Sequence, residues 1–404
     1  MPLSRISTTF AATTTRQGPV TFASDGEAAA EKAVQADDGR LAITATTGVS
    51  SGDIVFGSGA DGSPDLNGGA ATGFTLVSTV YRATRNVNAS DLTIRTGYSI
   101  DPNGWPIRVR NTLTMESGTS ISNDGGNTTT SAAGAGALPA SAPSSTSAPF
   151  YGGSAGGAGR ASVGTGAAPN TPTGIRLGGA GWPVQSSPSG GGATTVAAVS
   201  ASDVATAYAR YNGDPYQLLL NFMRLLNGVS LTYATGATGG SGGAWTNTSG
   251  GIGSSGGAGG GGGVLVLAAR KLITSGSGHR FSASGGNGAA AALTAGVNVA
   301  AGGGAGGNGG YVLVQIGQVI SGSPPPIQVN GGAGGNGAEF GWVSSSGNGG
   351  NGGNGGAGLY VIGTYSGADP TNTATGGTPG TGSAHGVSGT VGTTGAVIYP
   401  GGYT

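Results

Sequence analysis

Gly349-Gly350-Asn351-Gly352-Gly353-Asn354-Gly355-Gly356-Ala357 is a Gly-Gly-X triplet that runs, one residue on, into the apolar quartet Leu359-Tyr360-Val361-Ile362. In the triplet only every third position carries a side chain. A polyproline II helix has three residues per turn and no internal hydrogen bonds, so such a segment keeps its amides free for neighbours. Its two bare faces let other strands pack against it at close range. The quartet is short, partly β-branched and aromatic, and bounded by glycine, which reads as a buried strand. The two together predict bundled polyglycine-like helices alternating with strands.

The same pairing recurs upstream. The tract Gly259 to Gly263 leads into Val264-Leu265-Val266-Leu267, and the tract from Gly302 leads towards Tyr311-Val312-Leu313-Val314. Val264 to Val312 and Val312 to Tyr360 are each 48 residues apart. Ile107 is followed fourteen residues on by Ile121 and then by Gly125-Gly126; Leu265 leads to Phe281 and Gly285-Gly286; Leu313 leads, fourteen on, to Ile327 and Gly331-Gly332. A unit that cannot bury its apolar face alone buries it by stacking on its neighbours. The predicted fold is therefore all-β and repetitive: a parallel β-helix or β-solenoid with glycine-rich, polyglycine II-like arms, plus a small N-terminal region of strands and one helix. Collagen needs Gly-X-Y sustained over many turns and rich in proline. The calcium-binding β-roll needs an Asp that Gly331-Gly332-Ala333-Gly334-Gly335-Asn336 lacks.

Five regions follow along the chain. Residues 1–90 hold a capping-box spacing, Ser24-Asp25-Gly26-Glu27, before an alanine-rich stretch, which predicts a short helix between Ser24 and Asp38. Apolar stretches at Leu41 to Thr44, Asp53 to Phe56 and Phe74 to Tyr81 then read as strands. Residues 91–127 form the first solenoid segment, and 128–200 an Ala/Ser/Gly/Pro-rich excursion. Within 201–228, Asp214-Pro215 opens a dense apolar run closed by Asn227-Gly228, the strongest helix signature in the chain. Residues 229–404 carry the glycine-rich repeats.

Glycine supplies 90 of 404 residues, and charged residues only 8%. With 16 basic and 16 acidic residues the net charge is zero, so no basic stripe exists to neutralise phosphates and nucleic-acid binding is not expected. The absence of cysteine removes disulfides, thiolate metal sites and cysteine nucleophiles together. Met-Pro-Leu-Ser-Arg-Ile lacks a charged leader followed by an apolar stretch, so no secretory signal is expected. No apolar stretch approaches the roughly 18 residues of a membrane span.

The chemistry-bearing residues are sparse. The two histidines, His279 and His385, sit in no metal-ligand spacing, and neither Lys32 nor Lys271 follows glycine as a phosphate-binding loop requires. No cofactor or metal is expected. Paired carboxylates would be needed to hydrolyse a polysaccharide. The candidates Asp101, Glu116, Asp124, Asp203, Asp214, Glu339 and Asp369 are scattered, and several sit in turn sequences or, like Asp214, at a helix cap. Trp182, Trp245, Phe340, Trp342 and Tyr365 lie in or beside glycine-rich loops, where an exposed ring can stack on a sugar or fill a receptor pocket. The plainer alternative is that each ring covers bare glycine backbone.

Asp91-Leu92-Thr93-Ile94, Asp101-Pro102-Asn103-Gly104-Trp105-Pro106-Ile107-Arg108-Val109, Ile121-Ser122-Asn123-Asp124-Gly125-Gly126 and the glycine tracts before Val264 and Tyr311 together resemble glycine-rich structural proteins of tailed bacteriophages. The resemblance spans roughly Asp91 to Tyr365. It implies a virion protein without catalysis: a tail fibre or spike component, or an adhesin whose polyglycine helices display host-binding loops. The alternatives are a head decoration or vertex fibre protein, a polysaccharide-degrading spike, and a mycobacterial-type glycine-rich surface protein, which Gly332-Ala333-Gly334-Gly335-Asn336-Gly337 also resembles. The phage reading implies other virion proteins as partners of the N-terminal region and a host envelope glycan or outer-membrane protein as a possible receptor. It further implies a homo-oligomer, with a trimer favoured, assembly in the host cytoplasm and release by lysis.

Overall fold

The computed structural model describes residues 55–132, 134–135, 153, 155–159, 245–247, 252–295, 299–340, 347–392 and 394–398, together with the pairs 34–35 and 42–43. The chain divides into two compact units, Met1–Val55 and Phe56–Thr404. In the first, β1 (Val34–Gln35) pairs antiparallel with β2 (Ala42–Ile43), Val34 facing Ile43. Val34 and Gln35 lie in the stretch predicted as helix but are extended; the rest of that stretch lies outside the described residues. Val55 and Phe56, predicted as strand, are helical.

The second unit is nearly all strand. The chain passes repeatedly between two open, mostly parallel sheets. It begins with β3 (Asp65–Leu66), then the hairpin β4 (Phe74–Val77) and β5 (Val80–Ala83), whose two-residue turn places Ser78 at φ 57°. Next come β6 (Val87–Ala89), β7 (Leu92–Ile94), β8 (Ser99–Asp101), β9 (Ile107–Met115) and β10 (Ser120–Ser122). Beyond the excursion lie β11 (Trp245–Asn247), β12 (Ile252–Ser254), β13 (Val264–Thr274), β14 (Arg280–Ser282), β15 (Ala292–Ala295) and β16 (Val299–Ala301). The last are β17 (Tyr311–Ser321), β18 (Ile327–Gln328), β19 (Ala338–Phe340), β20 (Ala357–Thr364) and β21 (Ala396–Ile398). The larger sheet runs β21-β20-β17-β13-β9-β7-β3, with β6 also on β9, and the smaller β18-β14-β10-β8-β5-β4. Strands on either side of residue 90 therefore share both sheets.

Each pass contributes one layer to a common core. In the smaller sheet Tyr81, Ile100, Ile121, Phe281 and Ile327 stand in register, and all five are fully buried. In the larger sheet Val87, Ile107, Leu267, Val314 and Tyr360 do the same. The Phe281 and Tyr360 rings meet edge to face at 6.0 Å, a geometry that adds about 0.5–1.5 kcal/mol to the burial itself. β9 alternates buried and half-buried positions on either side of an exposed Asn111, where its register with β13 shifts, whereas Val264 to Ala269 and Ala357 to Ile362 are buried on both faces. That double burial is why those segments read as uninterrupted apolar runs.

The register differs from the apolar spacing. Val264 faces Tyr311, not Val312, and Val312 faces Gly358, not Tyr360, so successive strands are offset by 47 and then 46 residues. Likewise Ile107 faces Leu267, not Leu265, and Leu267 rather than Leu265 stands fourteen residues ahead of Phe281. Matching one valine to the next by sequence slips the strands and, at an odd offset, swaps core for outer face.

From β10 onward, the connections from the smaller sheet back to the larger one are glycine segments that lack strand pairing except at their turning points, and amides along them bond at every third residue. Outgoing segments lie parallel to one another: Gly285, Gly288 and Ala291 donate to the carbonyls of Asn330, Ala333 and Asn336, and Gly331, Gly334 and Gly337 to those of Thr375, Thr378 and Thr381. Returning segments repeat the pattern, with Gly303, Gly306 and Gly309 donating to Asn348, Asn351 and Asn354. Outgoing and returning segments run antiparallel, as in Gly332 to Gly307 and Gly335 to Gly304. Where the facing segment carries asparagine, a further amide finds a side chain: Asn308, Asn351 and Asn336 accept from the N–H groups of Asn354, Thr390 and Thr381 at 2.8, 2.8 and 2.9 Å. In those triplets backbone packed away from water has its donors satisfied. A Cβ on Gly352 or Gly353 would enter the carbonyl oxygen of Gly377 or Gly307, so close packing excludes any other residue at both positions.

Charged side chains fasten the first passes. Arg95 bridges Asp65 (2.8 Å) and Glu116 (2.7 Å), and Arg85 reaches Asp61 at 2.6 Å. The hydrogen bond from Arg95 lowers the Asp65 carboxyl, and the Thr96 amide together with Arg95 lowers that of Glu116.

Candidate functional site at the turning points of the glycine segments

Where outgoing segments turn back, the chain makes short antiparallel structure. β11, β16 and β19 form a three-stranded sheet in which Trp245 faces Ala301, Val299 faces Phe340 and Ala300 faces Glu339. β12 pairs antiparallel with β15, with β13 and β14 lying between them in sequence. The predicted aromatic residues Trp245 and Phe340 thus occupy the two outer strands of one small sheet, at register positions that share a face. Phe340 is 47% exposed, an uncommon state for a ring of that size.

Next to Phe340, Glu339 gathers the following turn of chain. The Ser383 hydroxyl donates to Glu339 Oε2 at 2.7 Å, the His385 N–H reaches the same oxygen at 3.3 Å, and His385 Nδ1 lies 2.7 Å from Oε1. Ser383 Oγ in turn accepts from the Gly347 amide at 3.0 Å. Burial pushes the Glu339 carboxyl up, but the hydrogen bonds from Ser383 and His385 outweigh it and leave it below its ordinary value. The His385 side chain is 70% exposed, against 12% for Glu339. The Ser383 hydroxyl is spent on the carboxylate instead of facing the imidazole, so this trio lacks the nucleophile–base contact of acyl-transfer chemistry. It offers instead a fixed carboxylate and an exposed imidazole on one side of β19, while Phe340, the next residue of the strand, points to the opposite face.

The remaining sequence candidates fall elsewhere. Tyr365 follows β20, is half-buried against the main core and lies over Gly367. Trp182 and Trp342 lie outside the described residues, as do Asp203, Asp214 and the predicted helix over 214–227. Asp101 holds Arg82 (3.2 Å) and the Asn103 amide, and burial raises its carboxyl. Asp124 accepts from the Ser282 hydroxyl and the Ser284 amide. Among the described residues no three His, Asp or Glu side chains gather as they would around a metal ion, and no helix is long and apolar enough to cross a membrane.

Sequence reasoning missed the Glu339, Ser383 and His385 cluster, whose members are 44 and 46 residues apart. The signal was present in the repeat: one pass along the glycine segments brings Asn330 onto Thr375, 45 residues on, and Glu339 onto the next turn by the same stacking.

Comparison with models of known families, with curated proteins and with solved structures finds no match for this chain.

Proposed function

We propose that this chain is a surface protein of a tailed bacteriophage particle, acting as a tail fibre or spike component or as a host-recognising adhesin, without catalysis. In this reading the two parallel sheets are a β-solenoid and the glycine segments are polyglycine II-like helices packed side by side. The N-terminal region attaches to other virion proteins, the chain assembles as a homo-oligomer, with a trimer favoured, and the turning points face a host envelope glycan or outer-membrane protein.

One observation carries the proposal: a hydrogen-bonded stack of glycine segments whose turning points bear Phe340, Glu339 and His385. A slab without side chains inside is a costly way to fill space unless its stiffness serves to hold those turns in place. Antibody labelling of intact particles tests this directly. Gold at the tail tip is the expected result; gold distributed over the head would replace the adhesin with a decoration protein, and no labelling of particles would end the virion reading. Incubation with host envelope material is expected to release no oligosaccharide, and release would overturn the non-catalytic part.

A further inference from the structure

The returning segments do not all have the same sequence grammar. Residues 347–356 follow Gly-Gly-X, with both glycines buried and the asparagine half-buried. There Gly349, Gly352 and Gly355 face the following outgoing segment, where a Cβ would enter the carbonyls of Gly380, Gly377 and Ala374. Gly350, Gly353 and Gly356 face the preceding returning segment, against Gly304, Gly307 and Gly310.

The last returning segment, 386–395, keeps only the second set. Gly389, Gly392 and Gly395 press against Gly350, Gly353 and Gly356, as the inner contact demands. Ser388, Val391 and Thr394 stand where Gly349, Gly352 and Gly355 stand one pass earlier, and all three are exposed, Val391 at 66%. One pass earlier, Gly349 and Gly352 donate to the carbonyls of Val387 and Thr390, whereas among the described residues the amides of Ser388, Val391 and Thr394 donate to no backbone carbonyl. An open row of amides on a flat, bare edge is a template for another chain.

We propose that segment 386–395 is a terminator, in which the side chains of Ser388, Val391 and Thr394 keep a second copy of this chain from seating its own glycine segment on the open end. A Cβ alone is sufficient, since neighbouring segments approach to within a carbonyl's contact distance. The inference rests on the packing alone and holds whatever particle carries the protein.

Two triple variants test it. Sedimentation velocity of the full chain over a tenfold concentration range should show at least a doubling of mass for S388G/V391G/T394G relative to the native chain. S388A/V391A/T394A, which removes the valine but keeps every Cβ, should sediment as the native chain does. Unchanged mass for the glycine variant, or equal growth of the alanine variant, would overturn the proposal. So would unfolding of the glycine variant by circular dichroism, because these positions are held to bear no load in the fold.

Discussion

A methyl group on Gly353 would sit inside the carbonyl oxygen of Gly307, and the obstacle is backbone, which cannot swing aside as a side chain can. Gly353→Ala should therefore cost at least the roughly 1–3 kcal/mol typical of overpacking. Asn351→Ala, two positions away, leaves only the Thr390 amide without its acceptor, a loss of about 1 kcal/mol. Thermal unfolding of the two variants should rank them in that order, and the reverse ranking would mean that side-chain bonds outweigh close packing. His279 is a different kind of residue: it is 8% exposed, its Nδ1 lies 3.4 Å from Thr119 Oγ1, and burial holds its pKa below 6.5. A histidine whose folded pKa is depressed contributes stability that is complete above the unfolded value and is lost as pH falls through that value towards the folded one. Denaturant melts of the native chain should thus weaken as pH falls below about 6.5. His279→Gln, which retains a polar contact for Thr119 but does not titrate, should flatten that slope.

At the level of elements, the strands were legible because double burial writes itself as a continuous apolar run, as in Val264 to Leu267 and Leu359 to Ile362. Their register was not, because each run offers several apolar residues for matching and the true offset drifts from 47 to 46. The candidate site was half legible for a related reason. Phe340 and Trp245 were visible as rings among glycines, but Glu339 and His385 come together only through the register of the glycine segments, which no local pattern reveals. The core layers carry most of the energetic weight. Phe281→Ala removes the ring that meets Tyr360 between the two sheets, and a loss of about 3–5 kcal/mol is expected in urea unfolding. Substituting an exposed residue such as Val77 should change stability by no more than about 0.5 kcal/mol.

For the whole molecule, the glycine segments and the strands should behave as one cooperative body, because each outgoing and returning segment is bonded to neighbours on several sides. Amide hydrogen exchange distinguishes this from a set of loose linkers. Gly304, Gly307, Gly332 and Gly353 should exchange as slowly as the amides of β13, since opening any one of them breaks bonds across several passes. Exchange at the rate of free peptide in these glycines would separate the segments from the sheets energetically.

Register also governs how the chain can change in length. Tyr311 faces Ala357, so excising residues 311–356 would join Gly310 to Ala357 and set β20 directly against β13 in the place β17 vacates. Both the apolar ladder and the every-third-residue bonding would close again over the gap. Excising one residue more or fewer would put the core side chains of β20 on the wrong face. A soluble, cooperatively melting protein is expected from the first deletion, and insoluble or protease-sensitive material from the other two. Length in this molecule is thus quantised: the chain tolerates change in whole passes between its two sheets, not in single residues.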